Sequence, residues 1–244
     1  MLTHSTEQLK VLINEAKSRN LFFMEALWTR FQPAVRYLQQ KVLPKIEPII
    51  HVELLVVEHG GNSRLLKPDL GGGALLDIGV YPLNLISIAF NDQKPKSIEA
   101  VACVDDNNID RVTAVQFKYK DDAAGNLFCT IEAETPDDCI IIGKHGYVRL
   151  HAPFWCTTRI TVKTPADSKE ITYDFPINDD DRKKYNFENR ALMVHEIQHC
   201  CERFTTGKKE SNIYPLSYSV HFMEILDEIR KQTGIDYGKQ EKAK

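Results

Sequence analysis

The chain contains no C-x-x-C pair: its six cysteines, Cys103, Cys129, Cys139, Cys156, Cys200 and Cys201, fall at irregular intervals along 244 residues. That spacing suggests neither a four-thiolate zinc site nor a disulfide framework, and makes a reducing, cytoplasmic setting the expectation. No run approaches the roughly eighteen apolar residues of a membrane span, and Met1 to Asn20 is polar and charged with no apolar h-region. Neither sign of charge dominates. The formal net charge is -3 and the pI about 6.3, which gives no electrostatic reason to expect nucleic acid or an anionic membrane. A G-x-G-x-x-G turn is also missing, so no self-contained dinucleotide-binding turn is present.

What is there suits a globular protein with a sizeable core and a small-molecule or protein ligand, since 43% of the residues are hydrophobic. Ser5 and Glu7-Gln8 are placed to cap a helix over about 5 to 19, with Leu9, Leu12, Ile13 and Ala16 at helical spacing. The apolar run Leu21 to Trp28 is expected to be a buried parallel strand, which makes this pair one α-to-β step of a doubly wound fold with no beginning. Pro33 opens a helix through Gln40 or Val42, Pro44 and Pro48 mark a break, and Ile49 to Glu58 reads as a strand. Gly71-Gly72-Gly73 launches a mostly buried helix from Ala74 to Phe90.

From 97 to 175 the pattern turns to β-rich runs, at 97–104, 113–119, 126–133, 139–143, 147–150 and 158–162, separated by turn-like Asp, Asn, Lys and Gly clusters. An antiparallel meander is expected. Phe187 to Phe204 and Leu216 to Lys231 then read as amphipathic helices, stopped by Gly207 and Gly234.

Two candidate sites compete. His195-Glu196-Ile197-Gln198-His199 matches H-E-x-x-H, in which two histidines one helical turn apart share a zinc ion and the glutamate activates its water. A zincin also needs a third ligand, and Glu202, Glu224 and Asp227 complete no recognisable pattern; chance alone yields the motif in about 2% of chains of this composition. The second site is Gly71 to Tyr81, in which Asp77 and Tyr81 lie four residues apart on one helical face. A phenol beside a carboxylate can exchange the proton of a substrate hydroxyl when a nearby cation lowers its pKa. The alternative is a capped core helix whose aspartate makes a local hydrogen bond.

Met24-Glu25-Ala26-Leu27-Trp28-Thr29-Arg30-Phe31-Gln32-Pro33 followed by Gly72-Gly73-Ala74-Leu75-Leu76-Asp77-Ile78-Gly79-Val80-Tyr81 resembles the glucose-fructose oxidoreductase and inositol dehydrogenase superfamily. Within it, the chain resembles the dimeric dihydrodiol dehydrogenases, also described as D-xylose 1-dehydrogenases. The likeness continues through Trp155-Cys156, Glu210-Ser211, Pro215-Leu216 and Ile225 to Arg230. It implies an NADP-dependent dehydrogenase acting on the CH-OH or CH-CH group of a diol or sugar. Its catalytic pair would be Tyr81, as general acid/base, and Asp77. Trp28, Arg30, Phe31 and Trp155 would line the nicotinamide and substrate pocket, and Glu25 and Trp28 would be the remaining cofactor contacts. No metal is expected, and the H-E-x-x-H helix becomes scaffold.

The same resemblance implies an α/β (α+β) fold: an open-faced, predominantly antiparallel sheet with helices on one side over 33–244, and over 1–32 the last helix and strand of a Rossmann domain. The glycine-rich turn, the ribose contacts and the Glu-Lys-Pro motif of the family have no counterpart in the sequence, so the chain alone is expected neither to bind NADP nor to turn over. A homodimer through the open sheet is expected. A non-catalytic dimerisation module is the alternative, and it would leave Phe22, Phe23 and Leu27 exposed unless a partner covers them.

Overall fold

A computed structural model describes residues 2–57, 64–178 and 189–236 of the chain. Eight strands form one sheet in the order β2-β3-β4-β1-β5-β6-β7-β8. They are β1 (Ile49–Val57), β2 (Ser97–Val104), β3 (Asp110–Lys118), β4 (Ala124–Thr130), β5 (Cys139–Gly143), β6 (Gly146–Leu150), β7 (Arg159–Lys163) and β8 (Ile171–Asp174). Every neighbouring pair is antiparallel except β1 with β4, where Val52 faces Gly125 and Leu54 faces Leu127. The expected meander is therefore two meanders, β2-β3-β4 and β5 to β8, with the earliest strand inserted between them.

Alternation along each strand sends one set of side chains to each face. Val115, Leu127, Leu54, Cys139, Leu150 and Ile160 form one continuous rung across six strands and are all buried. The opposite face carries Glu99, Gln116, Glu53, Ile140 and Arg149 at the adjacent register, and is open. Helices cover the buried face. The edge strand β2 is closed by Gln232, whose side-chain amide accepts the Ala100 N–H at 2.9 Å and donates to the Ile98 carbonyl at 2.9 Å.

The helices follow the sequence with two departures. Helix α1 (Thr6–Ser18) is capped by the Ser5 hydroxyl, which accepts from the Gln8 N–H, and buries Leu9, Ile13 and Ala16. The segment from Pro33 does not end before Pro44. It runs as α2 (Pro33–Tyr37), a π turn (Leu38–Val42) and α3 (Leu43–Ile46), because Pro44 falls in the first turn of α3, where its missing N–H has no intrahelical role. Helix α4 (Val80–Ala89) is preceded by a π turn over Leu75–Gly79. Helices α5 (Val194–Thr205) and α6 (Leu216–Thr233) are the last among the described residues, and α6 ends at Gly234 with φ 76°. The first residues of the expected helix 187–204, up to 188, lie outside the described residues, as does Glu58 of the expected strand 49–58; 190–193 is a 3-10 turn.

The second departure is Leu21 to Trp28. Residues 21–27 carry no regular structure and are not a strand: no strand lies beside them among the described residues, and the Leu27 N–H turns back onto the Glu25 carbonyl at 3.1 Å. A run of apolar residues specifies burial, whereas a strand needs a neighbouring backbone to bond with. Phe23 donates its N–H to the Lys209 carbonyl at 3.0 Å, and Leu27 is buried in the main core. Leu27 is thus not part of any exposed surface, while Phe22 and Phe23 are half-buried.

The chain then enters a 3-10 turn, Trp28–Phe31, whose side chains are all buried. Arg30 is only 1% exposed. Its Nε donates to Asn84 Oδ1 at 2.6 Å, its two terminal nitrogens meet the Asp92 carboxylate at 3.0 and 2.6 Å, and its guanidinium lies 4.5 Å from the Tyr214 ring centroid. All three nitrogens of the cation find an acceptor and one face of its plane lies on a ring, which is what makes such burial tolerable. Asp92 sits at φ 54°, a conformation asparagine tolerates. Asp92→Asn therefore keeps the backbone and removes the charge, and is expected to cost about 3–5 kcal/mol in urea denaturation; a loss below about 1 kcal/mol would mean that water reaches the guanidinium.

Candidate active site

The acid/base pair expected from the sequence lies at the entrance of the helix that packs on the centre of the sheet. Gly73, at φ 114°, makes the turn into it; a Cβ there would sit 2.0 Å from Asp110 Oδ1, so only glycine fits. Asp110, at the start of β3, is fully buried and accepts from the Leu75 N–H at 2.7 Å and the Thr113 hydroxyl at 2.9 Å. It caps this helix from across the sheet, and burial pushes its carboxyl up to about 6 despite those donors. Gly79 lets the helix approach β4, since a Cβ would stand 3.0 Å from Cys129 Sγ.

Asp77 lies in the π turn and pairs with Arg64 at 2.6 Å, in a partly exposed position. A π turn in an α-helix frequently marks a functional site, because it shifts side chains out of regular register. Tyr81 follows in the first turn of α4, half-buried, with its ring 6.2 Å from that of Trp155. Trp155 belongs to a short 3-10 turn, Phe154–Cys156, and its carbonyl accepts from the Thr29 hydroxyl at 2.7 Å and Gln32 Nε2 at 2.9 Å. Those bonds tie the turn to the segment carrying Trp28. Trp28, Cys156 and Leu192 form a small buried cluster against which Tyr81, Trp155, Ile177 and Met193 pack. The Cys156 carbonyl also accepts from Asn189 Nδ2 at 2.9 Å.

Three elements distant in sequence thus bring together Tyr81, Trp155 and Trp28, with Asp77 one helical turn before Tyr81 and Arg64 paired to it. The other residues singled out from the sequence do not join them. Arg30 is spent in the interior on Asn84, Asp92 and Tyr214. The Phe31 ring lies 5.0 Å from that of His199, against α5. Glu25 is buried, accepts from the Leu2 N–H at 3.2 Å, and has its pKa raised by burial. Two clefts of about 530 Å³ occur elsewhere, one beside Phe90 and Tyr119 and the other between Tyr37 and Thr164, and neither is lined by a residue of the Tyr81 group.

The H-E-x-x-H residues stand apart from this group and are engaged in the scaffold. His199 Nε2 bonds the Ser211 hydroxyl at 2.8 Å. Glu196 turns inward next to the charge of Glu25, and burial followed by that like charge pushes it up to about 7. Among the described residues, no three histidine, cysteine, aspartate or glutamate side chains come together to hold a metal ion.

Three residues of this region were not legible in the sequence. Arg64 precedes the glycine triplet by seven positions with nothing to mark it as the partner of Asp77. Asp110 sits in what reads as a polar separator between strands, and Asn189 lies beyond any motif. Each acts through a tertiary contact, for which no local pattern exists.

Comparison with known proteins finds a family and relatives for this chain. Residues 48–149 match the family described as GFO/IDH/MocA C-terminal domain. The chain is 33% identical over 234 residues to the trans-1,2-dihydrobenzene-1,2-diol dehydrogenase of Oryctolagus cuniculus, covering 94% of this chain and 69% of that protein. The Homo sapiens protein of the same name is 34% identical over 234 residues, with 94% and 67% covered. In three dimensions the chain is similar to an aldose-aldose oxidoreductase from Caulobacter crescentus, crystallised with glycerol, at a TM-score of 0.77 and 15% identity over 96% of this chain and 68% of that one. A 3-ketoreductase from Actinomadura kijaniata, in complex with NADP and TDP-benzene, gives 0.76 and 18% over 95% and 69%. At those identities the solved structures attest the fold alone.

The raised carboxyls have a consequence for stability. Glu196, at 4.5 when free and about 7 when folded, holds its proton more tightly in the native state. Its contribution is fully present below pH 4.5 and is lost as pH rises through about 7. Asp110 adds a fall of the same sign between 3.8 and about 6. His151, His195, His199 and His221, whose pKa values burial lowers, act with the opposite sign near pH 6, so the test is a difference: relative to Glu196→Gln, the chain should lose thermal stability progressively between pH 4.5 and about 7. A difference that stays constant over that range would mean that Glu196 is solvated.

Proposed function

The chain belongs to the GFO/IDH/MocA oxidoreductases, among the relatives of the trans-1,2-dihydrobenzene-1,2-diol dehydrogenases, and from that membership we propose that it carries the substrate side of an NADP-dependent dehydrogenase for a vicinal diol or a sugar such as D-xylose. The observation that carries this reading is the convergence of Tyr81 with Trp155 and Trp28 at the head of a helix whose preceding turn pairs Asp77 with Arg64. Tyr81 takes the proton from the substrate hydroxyl. Asp77 and Arg64 hold the entrance of its helix and supply the neighbouring charges, and the two indoles wall the site and exclude water from one side of it. Of the residues first expected to line the pocket, Trp28 and Trp155 keep that role in this proposal, while Arg30 and Phe31 support the turn that carries Trp28.

NADP accepts the hydride in this class of reaction. The described residues fit it only in part, since the aromatic wall offers contacts for a nicotinamide, whereas Glu25 does not join that wall, nothing among them forms a glycine-rich cradle for pyrophosphate, and the sequence contains no G-x-G-x-x-G. We therefore assign residues 1–32 to the end of a dinucleotide-binding unit and 33–244 to the substrate and dimerisation unit, and expect no NADP binding or turnover by the 244 residues alone. The open sheet face, with Val101 70%, Ile140 37% and Ile142 41% exposed, is the surface through which a homodimer forms. Free cysteines and the absence, among the described residues, of any helix long and apolar enough to cross a membrane favour a cytoplasmic setting. A non-catalytic dimerisation module remains the second reading, favoured by the same sheet face.

The chain has two tryptophans and both line this site, so intrinsic fluorescence reports it directly. Titration with D-xylose or a trans-dihydrodiol should change tryptophan emission saturably, and Tyr81→Phe should weaken that binding about tenfold, by one lost hydrogen bond. NADPH should bind no better than millimolar. Absence of any saturable response to diol or sugar would remove the substrate role, and a dimer by light scattering with no such response would leave the module reading. Micromolar NADPH binding would show that the chain holds the cofactor without a glycine-rich turn.

A further inference from the structure

The helical layer thins over the last strands of the sheet. Val162 faces Ile171 across β7 and β8, and Ile160 faces Tyr173; Ile160 belongs to the buried rung, so all four side chains lie on the helix-covered face. Tyr37 of α2 reaches this edge, with its ring 4.9 Å from that of Tyr173. Beyond it the cover opens, since Val162 is still buried while Ile171 is 38% exposed. Between these strands and the π turn Leu38–Val42 lies the second of the two clefts noted above, of about 530 Å³ and so within the range that encloses small molecules.

Its wall and its rim differ in chemistry. The wall is apolar and aromatic: Val42, Val162 and Ile171 lie beside the Tyr37 and Tyr173 rings, which are tilted by 43° to each other. The rim is basic, with Lys41 from the π turn, Lys45 from α3 and His145 from the turn between β5 and β6. Lys41 and Lys45 stand four residues apart, a spacing at which helical side chains are neighbours and like charges repel. No aspartate or glutamate stands three or four residues from either one to offset that repulsion, and neither has an ion-pair partner among the described residues.

The carboxylate in the lining, Asp167, is engaged within its own turn. It accepts from the Thr164 hydroxyl at 2.7 Å and the Thr164 N–H at 3.2 Å, and Lys163 stands beside it with its Nζ on the Asp167 carbonyl. Those bonds from Thr164, followed by the charges of Lys163 and Lys45, hold its carboxyl below the usual carboxylate range. A chain of net charge -3 thus holds two ammonium groups together beside an aromatic wall. That arrangement costs the helix stability when empty and gains from an anion. It also includes a π turn, a feature frequent at functional sites.

We propose that this cleft is a binding site, separate from the Tyr81 group, for a small molecule that joins a planar ring to a carboxylate or a phosphate. The ring lies against Tyr37 and Tyr173, and Lys41 and Lys45 hold the anionic group. Tyr81, Trp28 and Trp155 do not line the cleft, and the inference stands whether or not the proposed activity is correct.

Calorimetric titration of the chain with naphthoate and, separately, with AMP tests the proposal, the two probes carrying the carboxylate and the phosphate forms of this chemistry. At least one should bind saturably, and the double variant Lys41→Gln with Lys45→Gln should weaken that binding about tenfold or more through the loss of charge-assisted hydrogen bonds. Both lysines are exposed, so the variant leaves the core intact. Tyr81→Phe should leave the affinity unchanged. Failure of both probes to bind saturably overturns the proposal, as does equal affinity in the lysine variant. Loss of binding in Tyr81→Phe overturns it too, since the probe would then occupy the Tyr81 group.

Discussion

The buried guanidinium of Arg30 is the interaction on which most of this architecture depends. It joins four stretches of chain that also meet in the apolar core: the 3-10 turn 28–31, the middle of α4 through Asn84, the turn after α4 through Asp92, and the entry to α6 through Tyr214. A cation in an apolar interior has no tolerance for misplacement, since each donor must find an acceptor or the whole desolvation cost returns. The network ties the turn that carries Trp28 to the helix that carries Tyr81. The family resemblance implies a pocket-lining role for Arg30, whose guanidinium is held here by Asn84, Asp92 and Tyr214.

A second constraint acts at the opposite end of α4. The helix must approach the sheet closely at Gly79, and its first turn is held by a carboxylate that comes from β3. Asp110 is bonded to the Leu75 N–H and to Thr113 while a glycine with positive φ makes room for its other oxygen. Helix and sheet are thus registered by a polar contact at the level of Asp77, and by apolar packing beyond it. The site occupies the seam between these two modes of attachment, where a π turn absorbs the mismatch.

Local periodicity carried a good part of this fold. Helices α1 and α6 follow the spacing of Leu9, Ile13 and Ala16 and of Leu216 to Ile229, with Ser5 and Gly234 at their ends as capping chemistry demands. Strands β2, β5 and β6 lie within a residue or so of the positions that alternation indicates. What local pattern could not carry was the company each element keeps. The run Leu21 to Leu27 has strand composition and no strand beside it. Helix α5 has an apolar stripe that points outward. The residues that complete the candidate site, Arg64 and Asn189, and Asp110, which supports it, are polar residues in unremarkable surroundings, made significant only by a distant partner. Tyr81 and Asp77 were legible because the glycine triplet and the long motif around them resemble a known family, and the partners that hold Arg30, Asn84, Asp92 and Tyr214, were not.

The position of β1 has a kinetic meaning. It is the first strand in the sequence and the central one in the sheet, bonded on one side to β4 and on the other to β5. The two meanders it joins can each form from near neighbours, at low loop-closure cost, but neither can bury its inner edge until β1 arrives from some seventy residues away by its pairing with β4. The sheet therefore has a keystone whose pairings close longer stretches of chain than those within either meander, and while it is unpaired both meanders present an open edge to any other extended chain nearby.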